Sequence, residues 1–344
     1  MGSWAFGIIG TGMIAEFHAE AIQNLYNARL AGVCSSDPAK AVTFAEKYNC
    51  KAFSNYTEML RSSEIDIVTI ATPSGHHMEP AIEAALQGKH VICEKPMEIT
   101  LERIDAMIKA HEKAGTYLGG IFNYRYNDSV SILKNAIENG RFGNISYASV
   151  HVPWWRTENY YKSKWRGTWN LDGGGALMNQ SIHMIDLLQY LLGPIDSLCG
   201  YITTIGHDIE VEDTATAIVK FKNNALGGIY GSTASFPGQF RRIEITGTKG
   251  TAIQVDNALK VWQFADESAE DYQILKSFNE IDGGGGASDP SSISYQSHKR
   301  NIAAFLESIE AGKPFEINGT EARKAVEIVL AIYASAKEGK EHSF

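Results

Sequence analysis

The stretch Trp4-Ala5-Phe6-Gly7-Ile8-Ile9-Gly10-Thr11-Gly12-Met13-Ile14-Ala15 decides the fold of the first part of this 344-residue chain. Its apolar first half predicts a buried strand, and a helical pattern runs on from Ala15 to Leu25. The G-x-G-x-x-A spacing therefore lies between a strand and a helix, the setting in which it binds a dinucleotide. The glycines allow a tight turn and a close approach of the backbone to a pyrophosphate, whose charge faces the helix N-terminus. A plain strand-to-helix turn is the alternative, and the context makes it the weaker one.

Five more strand-like segments follow, each after a helical pattern, and this alternation predicts a doubly wound parallel sheet. They are Arg29–Cys34, Lys51–Phe53, Ile65–Ala71, Lys89–Cys93 and Tyr117–Phe122. We therefore predict an α/β protein whose first domain, residues 1–123, is an NAD(P)-binding Rossmann domain.

From about Tyr124 onwards strands dominate, which predicts a second α/β domain over residues 124–344 with a large, mostly antiparallel open sheet. Asn223-Asn224 lies between two alternating runs and predicts a hairpin with a turn of the primed type. The segment 282–292 (DGGGGASDPSS) is expected to be a flexible loop, and two helices, Tyr295–Ala311 and Thr320–Lys337, close the chain.

Charge and composition exclude several classes of protein. The formal net charge is -9 and no basic run stands out, which argues against a nucleic-acid partner. No apolar run approaches the ~20 residues of a membrane span, and the N-terminus lacks the pattern of a secretory signal. The four cysteines, Cys34, Cys50, Cys93 and Cys199, have neither zinc nor redox spacing. We expect a cytoplasmic enzyme.

The end of the second strand bears on the choice between NAD and NADP. NAD enzymes usually carry an acidic residue there, for the ribose hydroxyls. This chain has Ser35 and Ser36 at the tip and Lys40 close behind, which slightly favours NADP because small hydroxyls and a lysine suit a 2′-phosphate. Asp37 competes with this interpretation, but Asp37-Pro38 is also a good N-cap and first-turn pair for the next helix.

Polar residues follow the other strands at the edge where open α/β sheets bind ligands. Cys93-Glu94-Lys95-Pro96 places a lysine at the carboxyl end of a buried strand. Because parallel strands share this edge, we expect the following polar residues to converge there: Thr72, His76, Glu94, Lys95 and Asn123. Thr72-Pro73 is expected to lie along the cofactor. For the His76-His77 pair, a helix-entry loop without chemistry is the alternative. The histidines show no metal-ligand spacing, so no metal site is expected.

The second domain carries a glycine-rich loop followed by a predicted helix. In Gly173-Gly174-Gly175-Ala176-Leu177-Met178-Asn179-Gln180-Ser181-Ile182-His183, Asn179 and His183 are four residues apart and share one helix face. Asp186 is interpreted as a residue that orients its neighbours, or as a cap. The aromatic residues from Trp154 to Trp169 suit packing between strands or stacking on sugar rings, and both interpretations stay open.

These motifs together resemble the Gfo/Idh/MocA family of sugar oxidoreductases. The resemblance rests on the G-x-G-x-x-A motif, Thr72-Pro73, Glu94-Lys95-Pro96 and the GGG-x-L-x-N-x-x-x-H run that ends at His183, and it extends from Phe6 to about Ala336. It implies that Lys95 is the active-site lysine, that His183 is the acid–base histidine, and that a nicotinamide lies between them. Asn179 departs from the aspartate of many members, which leaves it a hydrogen-bonding role in catalysis rather than a part in a proton relay.

The resemblance and the motifs together yield two sets of site residues. The predicted cofactor-binding residues are Gly10, Thr11, Gly12, Met13, Ile14, Ser35, Ser36, Lys40, Ala71, Thr72, Pro73, His76, Glu94, Lys95, Asn123, Trp165 and Arg166. The predicted substrate residues are Tyr124, Arg125, His151, Trp154, Trp155, Asn179 and His183. A small-molecule sugar or polyol is the expected substrate, and a homodimer or homotetramer through the second sheet is the expected assembly.

The expected reaction is the interconversion of a hydroxyl and a ketone on a sugar, cyclitol or sugar derivative, with NAD or NADP. A glycosidase that uses bound NAD transiently is an alternative on the same scaffold. A cofactor-sensing regulator without activity is a weaker alternative, because Lys95 and His183 are both retained.

Overall fold

The computed structural model describes residues 3–280 and 294–344, and the chain divides into two compact units. The first unit comprises Met1–Asn123, Asn170–Gly173 and Ser294–Val326, and the second comprises Tyr124–Trp169, Gly174–Ile293 and Glu327–Phe344. The predicted domains, residues 1–123 and 124–344, stay a prediction, and the inclusion of residues 294–326 in the first unit was not expected. The loop predicted at residues 282–292 lies outside the described residues.

The first unit is built on a six-stranded parallel sheet with the order β3-β2-β1-β4-β5-β6. Its strands are β1 (Trp4–Ile9), β2 (Ala28–Cys34), β3 (Lys51–Phe53), β4 (Ile67–Ile70), β5 (His90–Cys93) and β6 (Leu118–Gly120). Its helices are α1 (Met13–Gln23), α2 (Pro38–Tyr48), α3 (Tyr56–Arg61), α4 (Met78–Leu86) and α5 (Leu101–Ala114). The doubly wound parallel sheet predicted from the alternation is confirmed.

The central strands are buried on both faces, as parallel strands covered by helices should be. All four residues of β4 are buried, and Phe6 and Ile8 of β1 are fully buried. The strands also end in register, since Ile9 pairs with Ile70, Ile70 with Cys93, and Cys93 with Gly120. The residues that come next along the chain therefore lie at one edge of the sheet.

A helix from the far end of the chain completes the first unit. This is α10 (Gln296–Ala311), whose Asn301 lies fully buried against the end of β6. The Asn301 side chain accepts a hydrogen bond from the Phe122 amide at 3.1 Å and donates one to the Gly120 carbonyl at 3.3 Å. These bonds satisfy the backbone just beyond the edge strand, which explains why residues so distant in sequence belong to this unit.

The second unit contains an eight-stranded sheet with the order β13-β12-β11-β7-β10-β9-β8-β14. Only the β7–β10 pair is parallel among its described strands, which confirms a mostly antiparallel sheet. The strands are β7 (Ile145–Pro153), β8 (Ile195–Thr203), β9 (Thr214–Phe221), β10 (Leu226–Ser232), β11 (Arg242–Gly247), β12 (Gly250–Val255), β13 (Ala258–Phe264) and β14 (His342–Ser343). Its helices are α6 (Asp128–Glu138), α7 (Glu158–Tyr161), α8 (Ile182–Leu192) and α9 (Ala269–Phe278), and α11 (Gly319–Glu338) divides between the units.

Two local expectations need correction. The β9–β10 hairpin exists, but within its turn only Asn224 has a positive φ, of 68°, and the Phe221 amide bonds to the Ala225 carbonyl at 2.9 Å. The turn is therefore a three-residue loop that ends in a left-handed residue, not a two-residue primed turn. Strands β12 and β13 and helix α9 were not predicted, although the residues on either side of Asp256-Asn257 alternate as a hairpin should.

No helix in the described ranges is long and apolar enough to cross a lipid bilayer.

His111 near the end of α5 gives the first unit a testable dependence on pH. It is 2% exposed, with Nε2 3.1 Å from the Ala81 carbonyl of α4 and Nδ1 2.8 Å from the Thr116 hydroxyl. Burial lowers the pKa of His111 to about 4, despite the opposing hydrogen bond to Ala81. Between pH 6.5 and 4 the unfolded chain therefore binds more protons at this site than the folded chain, so stability falls as the pH falls.

We expect acidification from pH 7.5 to 5 to lower the free energy of unfolding by about 2 kcal/mol through His111 alone. His111→Gln should lack this contribution, so its urea-unfolding curve should shift less over the same interval. His342→Gln, the same change near the chain terminus, serves as the control and should behave like wild type. An identical pH response in His111→Gln and wild type would contradict the assignment.

Candidate active site

The predicted phosphate loop lies directly after β1. Gly10 has a φ of +114°, and a Cβ there would lie 2.5 Å from the Ala71 carbonyl oxygen. Only glycine therefore fits at this position. Gly12 precedes the first residue of α1 and has open space where a Cβ would be, so the backbone at this helix N-terminus can be approached closely. This geometry fits a pyrophosphate, although the binding roles of Gly10, Thr11, Gly12, Met13 and Ile14 stay predictions.

At the end of β2, Asp37 caps the next helix, which is one of the two interpretations of this residue. The Asp37 carboxylate accepts hydrogen bonds from the amides of Ala39 and Lys40, at 3.1 and 3.4 Å, and so caps α2. The Ser35 hydroxyl accepts a bond from Thr11 at 3.0 Å, which links this tip to the phosphate loop. Lys40 is largely exposed, and its Nζ lies 4.0 Å from an Asp37 oxygen.

Glu94 at the end of β5 lies in a buried triad with two histidines that sequence reasoning did not single out. Its Oε1 is 2.7 Å from His18 Nε2 and 3.6 Å from His298 Nε2, while its Oε2 accepts the Lys95 amide at 3.1 Å. Burial would raise the pKa of Glu94, but the hydrogen bonds and charges of His18 and His298 hold it well below its usual range. The carboxylate is thus stabilised as an anion and holds the backbone of Lys95.

The same three residues form a group that could hold a metal ion, since their ligand atoms lie within 4.8 Å of one another. The 2.7 Å separation of His18 and Glu94 is that of a hydrogen bond, and Thr69 lies 2.6 Å from the other nitrogen of His18. We therefore describe a hydrogen-bonded triad. A polar residue on the apolar face of a helix was the available signal, because His18 lies among Ala15, Ala19 and Ile22 of α1.

His77 connects two of the loops at this sheet edge. It is 1% exposed, with Nδ1 3.0 Å from the Pro96 carbonyl and Nε2 3.0 Å from the Thr72 carbonyl. The turn after Lys95 is thereby tied to the loop after β4. The sequence analysis predicted His76, not His77, as a cofactor-binding residue. The His76 carbonyl accepts a hydrogen bond from the Thr72 hydroxyl at 3.2 Å.

The last predicted cofactor residue of the first unit is Asn123, which is 2% exposed. Its side-chain nitrogen lies 3.0 Å from the Ser297 hydroxyl and 3.3 Å from His298 Nδ1. Asn123 thus contacts the histidine triad through α10. Its proximity to a nicotinamide stays a prediction.

In the second unit, the segment that carries Asn179 and His183 is not the single α-helix that was expected. Residues Ala176–Ser181 form a π-helical turn, and α8 begins only at Ile182. Asn179 therefore precedes the α-helix on which His183 lies, and the four-residue spacing argument does not apply as it was made. Wider helical turns of this kind are frequent at functional sites.

Glu212 anchors the glycine loop before this turn. Its carboxylate accepts the amides of Gly175 and Leu177 at 2.9 and 2.8 Å and the Tyr333 hydroxyl at 2.9 Å. Burial raises the pKa of Glu212 to about 7, although these hydrogen bonds oppose the shift. No sequence pattern indicated these hydrogen bonds, because Glu212 lies at least 35 residues along the chain from the amides of Gly175 and Leu177.

Asp186, one turn after His183 on α8, pairs with Arg125. The two guanidinium–carboxylate contacts measure 2.7 and 2.5 Å, and both residues are at least 95% buried. Asp186 thus belongs to a buried ion pair, and its role in orienting its neighbours stays a prediction. The substrate role of Arg125 stays a prediction.

The predicted aromatic and basic residues of the second unit contact one another and neighbouring rings. Arg156 lies over the Trp154 ring at 4.9 Å, and Arg166 lies over the rings of Tyr160 and Trp165 at 4.2 and 5.0 Å. Trp155 packs against Phe236 and His207, at 5.5 and 5.8 Å between centroids. These contacts are packing within the unit, and the predicted roles of Trp154, Trp155, Trp165 and Arg166 towards ligands stay untested. His151 is half-buried, which lowers its pKa.

The first unit has a sheet edge that suits a dinucleotide, and the second unit has a histidine, His183, whose surroundings are held by buried contacts. The first unit presents Gly10, Thr72 and Lys95 at one sheet edge, with a buried anion behind the lysine. The second unit carries His183 on α8, which follows a π-helical turn whose start is bonded to the buried Glu212, and Asp186 one turn later pairs with Arg125.

Two family models match the chain, one in its N-terminal part and one in its C-terminal part. Residues 4–120 match an oxidoreductase family with an NAD-binding Rossmann fold, and residues 130–253 match the C-terminal domain of the GFO/IDH/MocA proteins. The glucose-6-phosphate 3-dehydrogenase of Bacillus subtilis is 32% identical over 289 residues, which cover 80% of this chain and 78% of the relative. The myo-inositol 2-dehydrogenase of Thermotoga maritima is 26% identical, with 96% of each chain covered.

A solved structure agrees as well. The WlbA dehydrogenase of Bordetella pertussis, in complex with NADH and UDP-GlcNAcA, superimposes with a TM-score of 0.91 at 32% identity, covering 100% of this chain and 98% of the other. On these matches, the chain belongs to the Gfo/Idh/MocA family of oxidoreductases.

Proposed function

We propose that this enzyme transfers hydride between a nicotinamide dinucleotide and a hydroxyl-bearing carbon of a sugar, cyclitol or sugar derivative. Family membership supports the proposal, as do relatives named for the dehydrogenation of glucose 6-phosphate and inositol. The observation that carries it is the position of Lys95, which follows Glu94 at the end of β5 and has its amide bonded to the buried Glu94 carboxylate.

The proposed chemistry divides between the two units. A bound nicotinamide would supply the hydride acceptor or donor. In the oxidation direction, His183 removes the hydroxyl proton, since an imidazole titrates near working pH. Lys95, as an ammonium, donates a hydrogen bond to the oxygen and stabilises its developing negative charge, an effect worth about 2.7–4 kcal/mol for comparable single donors. Asn179 hydrogen-bonds a substrate hydroxyl.

Lys95→Ala and His183→Ala should each lower kcat by at least about a hundredfold, because each removes a group that acts in the transition state. Dinucleotide affinity, measured by fluorescence titration, should persist in both. Lys109→Ala, at an exposed position of α5, and His342→Ala are the matched controls and should turn over normally.

Turnover should be followed as NAD(P)H absorbance with a panel of sugars, cyclitols and sugar acids. Near-normal turnover of either active-site variant would contradict the role assigned to that residue. Cleavage of a glycoside without accumulation of NAD(P)H would instead support the glycosidase alternative.

We propose further that Ser35, Ser36 and Lys40 bias the enzyme slightly towards NADP. Lys40 is exposed beside the tip of β2, and the carboxylate of Asp37 is engaged in capping α2.

Lys40→Ala should weaken NADP binding about tenfold, the worth of one charge-assisted hydrogen bond, while NAD binding stays constant. Lys47→Ala, in the last turn of the same helix, is the control. Isothermal titration with both dinucleotides checks the prediction. Tighter binding of NAD than of NADP by wild type would contradict it.

We propose that copies of the chain associate through the open face of the second sheet, as a homodimer or homotetramer. Large apolar residues lie exposed on one face of neighbouring strands, including Tyr201 (71% exposed), Ile218 (72%) and Leu226 (58%). Exposed apolar area on adjacent strands is typical of an interface.

Ile218→Asp should lower the mass of the assembly in light scattering, because it places a charge within the apolar face. Val42→Asp, the same kind of change at an exposed position of α2, should leave the mass unchanged. A monomeric wild type, or an unchanged mass in Ile218→Asp, would contradict the proposed interface.

A further inference from the structure

The imidazole of His183 stacks on the ring of Tyr124. Their centroids are 4.6 Å apart and the planes differ by 30°. Tyr124 is 8% exposed and lies in the short 3₁₀ segment Asn123–Tyr126. Two residues far apart in sequence thus share a face-to-face contact within the second unit, although the sequence had assigned Tyr124 to the substrate.

A guanidinium also lies over the Tyr124 ring. The Cζ atom of Arg241 lies 4.0 Å from the Tyr124 centroid. An aromatic ring has two faces, and each accommodates one planar group at such distances, so Arg241 and His183 lie on opposite faces of Tyr124. We call this arrangement the Arg241–Tyr124–His183 stack.

Both ends of the stack are held by buried ion pairs. Arg241, 4% exposed, pairs with Asp256, and its Nη2 donates to the Asn257 side chain at 2.8 Å. At the other end, Arg125 directly follows Tyr124 in the chain and binds Asp186, one turn after His183 on α8. The segment that carries the tyrosine and the helix that carries the histidine are therefore fixed to each other.

We propose that Tyr124 is a positioning residue, which sets the plane of the His183 imidazole for proton transfer and is itself supported by Arg241. The proposal rests on the acid–base role of His183 stated above. It differs from a substrate role for Tyr124, because a substrate contact would use the phenol hydroxyl whereas the stack uses the ring.

The comparison of Tyr124→Phe with Tyr124→Leu separates these possibilities. The phenylalanine variant keeps the ring and should retain kcat within about twofold, whereas the leucine variant should lose roughly tenfold to a hundredfold, the usual effect of a misplaced catalytic group. KM and dinucleotide affinity should change little in either. Phe264→Leu, which removes another ring lying under a guanidinium (Arg141, 4.1 Å), is the matched control and should leave kcat unchanged.

An NMR spectrum of histidine-labelled enzyme, with the His183 signal assigned through His183→Gln, reports the stack without turnover. The His183 ring protons should be shifted upfield by the Tyr124 ring in wild type and in Tyr124→Phe, and the shift should vanish in Tyr124→Leu. If Tyr124→Leu fails to fold, the double variant Arg241→Met with Asp256→Asn should reduce both the shift and kcat, and unchanged values would overturn the role of Arg241.

Two results would overturn the proposal: equal impairment of the phenylalanine and leucine variants, which would assign the effect to the hydroxyl, or normal turnover of Tyr124→Leu. Normal turnover of His183→Ala would instead refute the proposed acid–base role, while the upfield shift would still establish the stack. The two failures are therefore distinguishable.

Discussion

The first unit depends on one buried carboxylate. Glu94 is 4% exposed and accepts contacts from α1 through His18, from α10 through His298, and from the next residue along the chain, Lys95. A carboxylate in such surroundings is very costly unless it is paired, and removal of one partner of a buried pair typically costs about 3–5 kcal/mol. The triad therefore joins the first helix, the fifth strand and a helix more than 200 residues later into one unit, and its carboxylate accepts the Lys95 amide.

Parallel pairing turns this local anchor into a site. Because β1, β4 and β5 end in register, Gly10, Ala71 and Glu94 are neighbours at the carboxyl edge although they are far apart along the chain. His77 then ties the loops after β4 and β5 together through two carbonyl oxygens. The residues expected to meet a dinucleotide are thus held by backbone geometry and buried hydrogen bonds, not by surface contacts.

The second unit supports its histidine by different means. Glu212 gathers the amides at the start of the π-helical turn, and the Arg125–Asp186 pair holds α8 one turn beyond His183. Buried ion pairs contribute little net stability compared with apolar packing, but they define one arrangement of the groups around them. That property suits a segment whose proposed function is to present an imidazole in a fixed orientation.

Local sequence patterns are enough to predict the parallel sheet, the glycine loop and the lysine at a strand end. Apolar runs that alternate with helical patterns predict a parallel sheet, Gly10 has a positive φ that favours glycine, and Asp37-Pro38 is a good N-cap and first-turn pair. The long-range partners of Glu94, Glu212 and Tyr124 could not be predicted in this way, since they lie between 35 and 204 residues away along the chain. Such contacts depend on which elements pack together, and the periodicity of a single segment carries no information about that.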